Sequence, residues 1–450
     1  MSTHRCVTEV RRTLQPVHDW VTDAARARPD HIAVEAPDGA HTYAELDAAV
    51  DRCARRLRAL GVGEGARVAT TLPPSLLFCE LVHALPRLGA ALVPLNTRLP
   101  ATEQQRQARA AGALFTVDRP LDGMEAEIAP RREVDPAAVH TVLFTSGTSG
   151  APKPVALTIA NQEASARASA GAIGSERTDR WLCPLPLFHV GGLAILIRCA
   201  RAQTTALLHE RFSTGRVVTA LAEGEVTLVS LVPTMLRRLR EAGLDKAPAL
   251  RSLILGGGPI SPDLLEWARE SAITVRCTYG MTETCSQVVV TEPWEAAGPP
   301  VPGAELRAGA DGEILVRGEM VAPDALAADG WLHTGDRGRL DRRGHLHVEG
   351  RSEDLIITGG EKVSPPAVEA VLLAHPAIRD AAVAGAPSAE WGEAVTAFVV
   401  EREPVSDYDL LAFCREYLAG YQVPKRIRRV GRLPRNAAGK LQRDHLVPTE

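Results

Sequence analysis

The sequence predicts an α/β fold with a large N-terminal region and a small α+β C-terminal domain. Three observations predict it. Short apolar segments alternate with amphipathic helical segments between residues 17 and 290, as in mostly parallel sheets covered by helices. From about residue 298 short strands are separated by Gly and Asp, which indicates a small β-rich subdomain. Beyond Arg351 helices and strands mix again.

The first layered unit begins with helix, strand, turn and helix. Residues 17–30 and 42–60 have apolar residues at helical spacing, and the strand candidate IAVEAP lies between them. The segments that continue the alternation are GARVATTLP, FCELVHALPRLGA, ALVPLN and ALFTVD. We therefore expect a mostly parallel sheet in this unit.

A second layered unit follows between residues 177 and 290. Its strand candidates are RWLCPLP, TTALLH, VTLVSLVP, LRSLILGGG and VRCTYG, and its amphipathic segments include TMLRRLREAGL and SPDLLEWARESA. The β-rich subdomain contains AELRAGADGEILVRG and GRLDRRGHLHVEGR, and the C-terminal domain contains VEAVLLAHPAI, RDAAVAGA, AVTAFVV and DYDLLAFCREYLAG. We place the N-terminal domain at residues 1–350 and the C-terminal domain at residues 351–450.

Composition and charge narrow the class of function. The chain has 450 residues, 45% of them hydrophobic, and a formal net charge of −4 without a basic block, which argues against a nucleic-acid or anionic-membrane binder. The longest apolar stretch, Trp181 to Ile197, is broken by Pro and Gly, and the N-terminus lacks the apolar segment of a signal peptide. The eight cysteines show no CxxC spacing. We expect a cytoplasmic protein that acts on small molecules.

The stretch LFTSGTSGAPKPVALT contains the features of a polyphosphate-binding loop. Amides in a glycine-permitted turn can point together at an anion, hydroxyls add donors, and an ammonium adds full charge. These groups belong to Thr145, Ser146, Gly147, Thr148, Ser149, Gly150 and Lys153. The segment does not fit GxxxxGK[ST], because Gly147 and Gly150 lie three residues apart and Pro154 follows Lys153. A polar surface loop after a buried strand is the alternative.

Four motifs follow downstream of this loop. Gly256, Gly257 and Gly258 come after an apolar strand and offer bare backbone to a flat ligand. The segment YGMTET, residues 279–284, offers an aromatic face, hydroxyls and a carboxylate, and such a carboxylate suits Mg²⁺. The segment WLHTGD ends in Asp336, a suitable acceptor for a ribose diol. Near the C-terminus Lys440 lies on a glycine-bearing loop.

Together and in this order, the motifs resemble those of the adenylate-forming superfamily of acyl-CoA synthetases, adenylation domains and luciferases. The resemblance covers nearly the whole chain. It implies that the loop at residues 145–153 holds the phosphates of ATP and that Lys440 is catalytic. It also implies a metal site at Glu283 and Thr145, and nucleotide contacts at Gly256, Gly257, Gly258, Thr278, Tyr279, Gly280, Met281, Thr282, Asp336 and Arg351.

The same resemblance implies a second half-reaction with the thiol of CoA. In the superfamily the C-terminal domain then rotates about a hinge, which matches residues 351–354 here. The hinge position corresponds to Glu353, where the superfamily usually has Asp or Lys. Gly359 and Gly360 would lie beside the pantetheine arm; a simple turn is the alternative.

The chain departs from the superfamily in its phosphate loop. The usual pattern is TSGTTGxPKG, whereas Pro154 follows the lysine here. Proline removes an amide donor and fixes φ, so an altered grip on the phosphates is expected. The chain is also short before this loop and between Pro293 and Trp331, which indicates a compact member.

Local sequence is similar to that of the o-succinylbenzoate-CoA ligases of menaquinone biosynthesis. The segments concerned are LPLFHVGG, LHERFS, LGGGP and YGMTETCSQ. The acid has a second carboxylate, which needs polar or cationic partners. The candidates that can donate to an oxygen are Arg211, Thr284, Ser286 and Gln287, and the resemblance places His189 where acid and thiol enter. A surface ion pair for Arg211 and a packed histidine are the alternatives.

Three rival functions remain open from the sequence. The first is a CoA ligase for another aromatic or medium-chain acid, and the second is a stand-alone adenylation enzyme that loads a carrier protein. The third is a nucleotide-binding protein that has lost catalysis. The expected partners are a small carboxylic acid, ATP with Mg²⁺, and CoA, without nucleic acid or membrane insertion; formation of a homo-oligomer stays open.

Overall fold

The computed structural model describes residues 15–145, 152–258, 260–351, 354–358, 361–388, 390–436 and 441–446. Several residues that the sequence predicts for the site lie outside these ranges, namely Ser146, Gly147, Thr148, Ser149, Gly150, Glu353, Gly359, Gly360 and Lys440.

The described residues contain both predicted kinds of element. The α-helices in chain order are α1 Trp20–Ala27, α2 Tyr43–Ala59, α3 Leu76–Arg87, α4 Ala101–Ala110, α5 Ile159–Ile173, α6 Val190–Ala202, α7 Thr214–Ala222, α8 Pro233–Glu241, α9 Pro262–Glu270, α10 Pro365–Ala374 and α11 Asp407–Tyr417. The strands are β1 Val17–His18, β2 Ile32–Ala36, β3 Gly39–Thr42, β4 Arg67–Thr70, β5 Ala91–Pro94, β6 Phe115–Val117, β7 Glu133–Val134, β8 Val139–Thr145, β9 Lys153–Thr158, β10 Arg180–Cys183, β11 Thr205–Leu208, β12 Leu228–Leu231, β13 Ser252–Leu255, β14 Val275–Met281, β15 Ser286–Val290, β16 Ala304–Ala308, β17 Glu313–Gly318, β18 Leu332–Leu340, β19 Leu346–Arg351, β20 Ile356–Thr358, β21 Glu361–Val363, β22 Ile378–Ser388, β23 Gly392–Glu401 and β24 Arg426–Arg429.

Two mostly parallel sheets form the body of the N-terminal domain. One has the strand order β6-β4-β5-β8-β9 and is parallel except for β9, which runs antiparallel to β8. The other has the order β15-β14-β13-β12-β10-β11-β2-β3, parallel in its interior and antiparallel at both ends. The predicted layered α/β fold is confirmed.

Local sequence explains why these elements form. The helix α2 begins at a capping box, in which Thr42 and Glu45 bind each other's backbone N–H groups. Leu46, Val50 and Leu57 then recur on one buried face of the helix. By contrast, every residue of β12 and β13 is buried, as expected for strands of a parallel sheet covered on both faces.

A small antiparallel sheet, β16-β17-β18-β19, forms the predicted β-rich subdomain. Arg351 is the last residue of β19 and pairs with Asp336 of β18. The small C-terminal domain contains the sheet β21-β20-β23-β22, with β24 beside β23. Its core includes Val368 of α10 and Val383 of β22, both fully buried.

Polar contacts join the C-terminal domain to the second layered unit. Arg237 donates a hydrogen bond to the carbonyl oxygen of Arg379 at 2.8 Å. Arg402 forms an ion pair with Glu241 at 3.4 Å, and α10 lies against α9. Polar interfaces of this kind are typical of domains that move relative to one another.

Among the described residues, no helix combines the length and the apolar character needed to cross a bilayer.

Candidate active site

The glycines after β13 bring bare backbone close to the next strand. Thr278 of β14 donates its hydroxyl hydrogen to the carbonyl oxygen of Leu255 at 3.3 Å. A Cβ at Gly256 would overlap that hydroxyl, and Gly257 has a left-handed φ of +79°. Glycine is therefore required at these two positions, and the carboxyl end of β13 stays open for a flat ring.

A tight hairpin of β14 and β15 presents Tyr279. Gly280 pairs with Gln287 where the register shifts, and a Cβ at Gly280 would overlap the carbonyl oxygen of Ser286. Ser286 and Cys285 have φ values of 93° and 51°, an uncommon backbone conformation for residues other than glycine. Such strain is typical of functional loops.

Tyr279 and Arg351 hold the carboxylate of Asp336. The phenol of Tyr279 donates to Oδ2 at 2.8 Å, and Nε of Arg351 lies 2.9 Å from Oδ1. Burial, with the negative charge of Asp336, raises the pKa of Tyr279 well above its usual value, so the phenol remains a donor. Each carboxylate oxygen keeps acceptor capacity, and a ribose hydroxyl can still bind Asp336.

A buried threonine fixes the turn that carries Glu283. The Thr284 hydroxyl accepts from the backbone N–H of Met281 at 3.0 Å and lies within donating distance of the Ser286 carbonyl oxygen, at 2.9 Å. Thr284 is fully buried, so its hydroxyl holds the backbone of the turn. Glu283 is partly exposed, and its carboxylate makes no hydrogen bond or ion pair with other described residues.

The strands on either side of the predicted phosphate loop lie beside this turn. Thr145 at the end of β8 pairs with Lys153 at the start of β9, and residues 282–284 lie against β9. Pro154 lies on β9, the edge of its sheet in the described part of the chain. The missing N–H of proline is tolerated on an edge strand.

His189 lies at the start of α6 with its imidazole largely buried. Its ring contacts Phe188, with ring centroids 4.6 Å apart, and its Nε2 is buried without a hydrogen-bond partner among the described residues. Burial and the positive charge of Arg98 lower the pKa of His189 to about 4. The imidazole is therefore neutral near pH 7.

Sequence reasoning missed Arg198, a buried arginine near the other end of α6. Its Nε and Nη2 atoms are buried without partners among the described residues, and no carboxylate there forms an ion pair with it. The guanidinium lies 5.7 Å from the centre of the Trp181 ring, and burial lowers the pKa of Arg198 to about 10. One charged residue in the apolar segment VGGLAILIRCA was the available signal.

The predicted acid-binding residues differ in their surroundings. Gln287 is buried and accepts a hydrogen bond from the hydroxyl of Ser169 at 3.0 Å, on a strand that α6 contacts. Ser286 is partly buried beside it. Arg211 is exposed after β11 and has no hydrogen bond or ion pair to other described residues. The buried Arg198 lies on α6, the helix that contacts this strand.

The donor set fits a nucleotide with a hard divalent cation. Glu283 and the hydroxyl of Thr145 offer oxygen ligands of the kind that Mg²⁺ prefers. Within the described ranges no group of three His, Cys, Asp or Glu could hold a metal ion by itself. That arrangement suits Mg²⁺, which usually keeps water and phosphate oxygens as its other ligands.

Most of the chain matches known protein families. Residues 21–129 and 118–324 match the AMP-binding enzyme family, and residues 367–440 match the AMP-binding enzyme C-terminal domain. The chain is similar to 2-succinylbenzoate--CoA ligase of Bacillus subtilis (strain 168), with 38% identity over 96% of this chain and 98% of that protein.

Two solved structures of o-succinylbenzoate CoA synthetase from Bacillus subtilis are also similar to the chain. The complex with the acyl-adenylate intermediate OSB-AMP has a TM-score of 0.90 and 37% identity, covering 97% of this chain and 99% of that one. The complex with ATP and magnesium ion has a TM-score of 0.89 and 37% identity, covering 96% and 100%.

Proposed function

Because the chain belongs to the AMP-binding enzyme family, we propose that it is an acid-thiol ligase that acts on o-succinylbenzoate. The acid is first joined to AMP with release of pyrophosphate. The acyl group is then transferred to the thiol of CoA with release of AMP. The relatives named for this acid support the choice of substrate.

The buried guanidinium of Arg198 is the observation that carries the choice of acid. A buried cation is costly unless a charge or hydrogen bonds compensate it, and the described residues supply no carboxylate to Arg198. The acid o-succinylbenzoate has one carboxylate that reacts and one that does not. We assign Arg198 to the second carboxylate, with Gln287 and Ser286 as further polar contacts on β15.

The nucleotide is assigned to the open edge beside β13 and β14. Gly256, Gly257 and Gly258 leave room for adenine next to the Tyr279 backbone, and Asp336 accepts from the ribose hydroxyls. Arg351 keeps the Asp336 carboxylate oriented through the 2.9 Å contact. Glu283 and Thr145 would hold Mg²⁺, which when bound neutralises charge on the phosphate oxygens.

The first half-reaction needs charge stabilisation more than acid–base chemistry. A carboxylate oxygen of the acid attacks the α-phosphorus while the bond to the pyrophosphate oxygen breaks. Negative charge then develops on the phosphoryl oxygens, where the Lys440 ammonium stabilises the transition state more than the ground state. We assign Lys153, at the start of β9, to the outer phosphates.

The second half-reaction joins sulfur to the acyl carbon and breaks the bond to AMP. We propose that residues 351–450 rotate about a hinge at residues 351–354 between the two steps, with Gly359 and Gly360 beside the pantetheine arm. The polar contacts of Arg237 and Arg402 can be exchanged for contacts with water during such a rotation. The neutral His189 imidazole lies at the proposed entrance for acid and thiol.

We place the reaction in the cytoplasm. The cysteines of the described residues are buried free thiols, which suits a reducing compartment.

The test of this function is CoA-dependent AMP release from ATP with a small panel of acids. The panel contains o-succinylbenzoate, benzoate, octanoate and acetate. We expect strong preference for o-succinylbenzoate, since only this acid pairs with the buried arginine. Equal turnover of benzoate would contradict the choice of acid. Absence of AMP release with every acid would contradict the proposal that the protein is an acid-thiol ligase.

A further inference from the structure

The turn that carries Asp336 is held from a neighbouring strand by two side-chain contacts. The ladder between β17 and β18 shifts here, since Leu315 pairs with His333 whereas Glu313 pairs with Arg337. Residues 334–336 therefore bulge out of the ladder with β17, while Asp336 keeps its pairing with Arg351 of β19. Side chains must fix this bulge, which places the carboxylate of Asp336.

Glu313 supplies one of the two contacts. Its Oε1 accepts a hydrogen bond from the backbone N–H of Gly335 at 2.9 Å, and Gly335 has a left-handed φ of +69°. The second contact comes from Thr334, whose hydroxyl donates to the Ile314 carbonyl oxygen at 2.7 Å. The same hydroxyl accepts from the backbone N–H of Asp336 at 3.0 Å.

His333 orients the carboxylate of Glu313. Its Nδ1 lies 3.0 Å from Oε2 of Glu313, and its Nε2 lies 3.2 Å from Oδ2 of Asp329. Each oxygen of Glu313 thus has its own partner, one in the backbone of the bulge and one in the imidazole. A protonated histidine donates from both ring nitrogens. Hydrogen bonds then connect Asp329, His333 and Glu313 in series.

We propose that Glu313 is a positioning residue for Asp336 and that it sets how strongly the protein prefers a ribonucleotide over its deoxy form. The proposal rests on the assignment of the ribose to Asp336 in the proposed function. Glu313 touches neither substrate nor the reacting atoms. It acts through the backbone of Gly335, and His333 keeps its carboxylate in place.

Protonation of His333 strengthens this arrangement. Hydrogen bonds to Glu313 and Asp329 raise the pKa of His333 above its usual value. The other charged groups nearby are Arg307 and Arg317, whose guanidinium groups lie 4.9 and 4.7 Å from the Trp331 ring. Deprotonation of His333 as pH rises through its pKa removes one donor and the attraction to both carboxylates, so the preference for ribose falls as pH rises.

The test is direct binding of ATP and of 2′,3′-dideoxy-ATP by calorimetry, with the ratio of the two affinities as the readout. Loss of a charged hydrogen bond predicts a ratio about tenfold lower in Glu313→Ala than in the unmodified protein. Glu313→Gln keeps an acceptor for Gly335 but loses the charge, so its ratio should lie between the two. In His333→Gln the ratio should no longer fall as pH rises.

Glu45→Ala is the matched control. Glu45 also accepts a backbone N–H, that of Thr42 at 2.8 Å, but it lies in the capping box of α2. Its loss should lower stability without changing the affinity ratio. Equal weakening of both nucleotides in Glu313→Ala, or an unchanged ratio, would overturn the proposal. Because binding requires no acid, failure of the proposed ligase reaction would leave this test intact.

Discussion

At the scale of single residues, Arg198 joins stability and specificity in one side chain. Its buried N–H groups without partners lower the stability of the free protein, because a buried charge without a counter-charge is costly. In the proposed function, the second carboxylate of the acid accepts hydrogen bonds from these N–H groups. The residue proposed to bind the substrate therefore lowers the stability of the free protein, a common relation in active sites.

The variant Arg198→Met tests this relation. Met keeps the apolar stem without the charge, so the free energy of unfolding should rise by about 1 kcal/mol. Loss of a charged hydrogen bond should lower kcat/KM for o-succinylbenzoate about a hundredfold, with ATP affinity unchanged. Thermal melts and steady-state kinetics measure both effects. Arg198→Lys is the control that keeps charge; full activity and unchanged stability in Arg198→Met would contradict the assignment.

Sequence reasoning listed Arg211, Thr284, Ser286 and Gln287 as candidates for the second carboxylate and did not list Arg198. Both arginines follow apolar segments, and only the packing of α6 against β15 distinguishes the buried one from the exposed one. Site residues that belong to local sequence motifs were easier to predict. Asp336 and the glycines after β13 are marked by strand ends and turn residues, which are local features.

At the scale of elements, the sequence largely predicts where strands end, but it does not predict irregularities in the pairing between strands. The capping box and apolar spacing of α2 are visible in the sequence, and β13, which is apolar apart from Ser252, has the pattern of a buried strand. The bulge between β17 and β18 depends on pairing between residues that are distant in the sequence, so no local pattern predicts it. The role of Glu313 follows from that bulge.

Gly256→Ala tests the edge of β13 as the adenine platform. The added Cβ meets the Thr278 hydroxyl and the carbonyl oxygen of the same residue, so β13 and β14 must separate locally. We expect ATP affinity to fall at least about tenfold, the size of one lost hydrogen bond and its packing. The measurement is calorimetric titration with ATP.

Gly215→Ala is the control for this substitution. Gly215 lies in α7, and a Cβ there meets no atom within 4 Å. Alanine in a helix should stabilise the protein by about 0.5–1 kcal/mol and leave ATP affinity unchanged. Normal ATP binding by Gly256→Ala would place adenine elsewhere.

At the scale of the whole molecule, buried histidines predict a loss of stability in acid. Burial lowers the pKa of His83 to about 3 and of His140 to about 4. The unfolded chain binds protons at these residues from about pH 6.5 downward, while the folded protein does not. Stability is therefore full above that pH and falls as pH decreases toward the folded pKa values.

Each buried histidine should contribute roughly 1 kcal/mol of lost stability per pH unit in that window. His140 donates from Nε2 to the Val82 carbonyl oxygen at 2.9 Å, and its Nδ1 has no partner among the described residues. His140→Gln keeps a donor and cannot be protonated, so its unfolding free energy should depend less steeply on pH. Equal slopes for both proteins in denaturant titrations would contradict this origin.

The proposed rotation of residues 351–450 would give Lys440 different roles in the two half-reactions. Lys440→Ala should reduce formation of the acyl-adenylate by several orders of magnitude, because it removes a charge that acts in the transition state. Reaction of a preformed adenylate with CoA should be much less affected. Single-turnover assays of each step measure the two rates, and equal loss in both steps would contradict the assigned role.

Mass spectrometry of the reaction mixture tests the central claim most directly. The protein is incubated with ATP, Mg²⁺ and o-succinylbenzoate, first without CoA and then with it. The account predicts an o-succinylbenzoyl-adenylate bound to the protein, which CoA converts to the thioester with release of AMP. Hydrolysis of ATP without an acyl-adenylate, or an adenylate that CoA leaves unchanged, would contradict it.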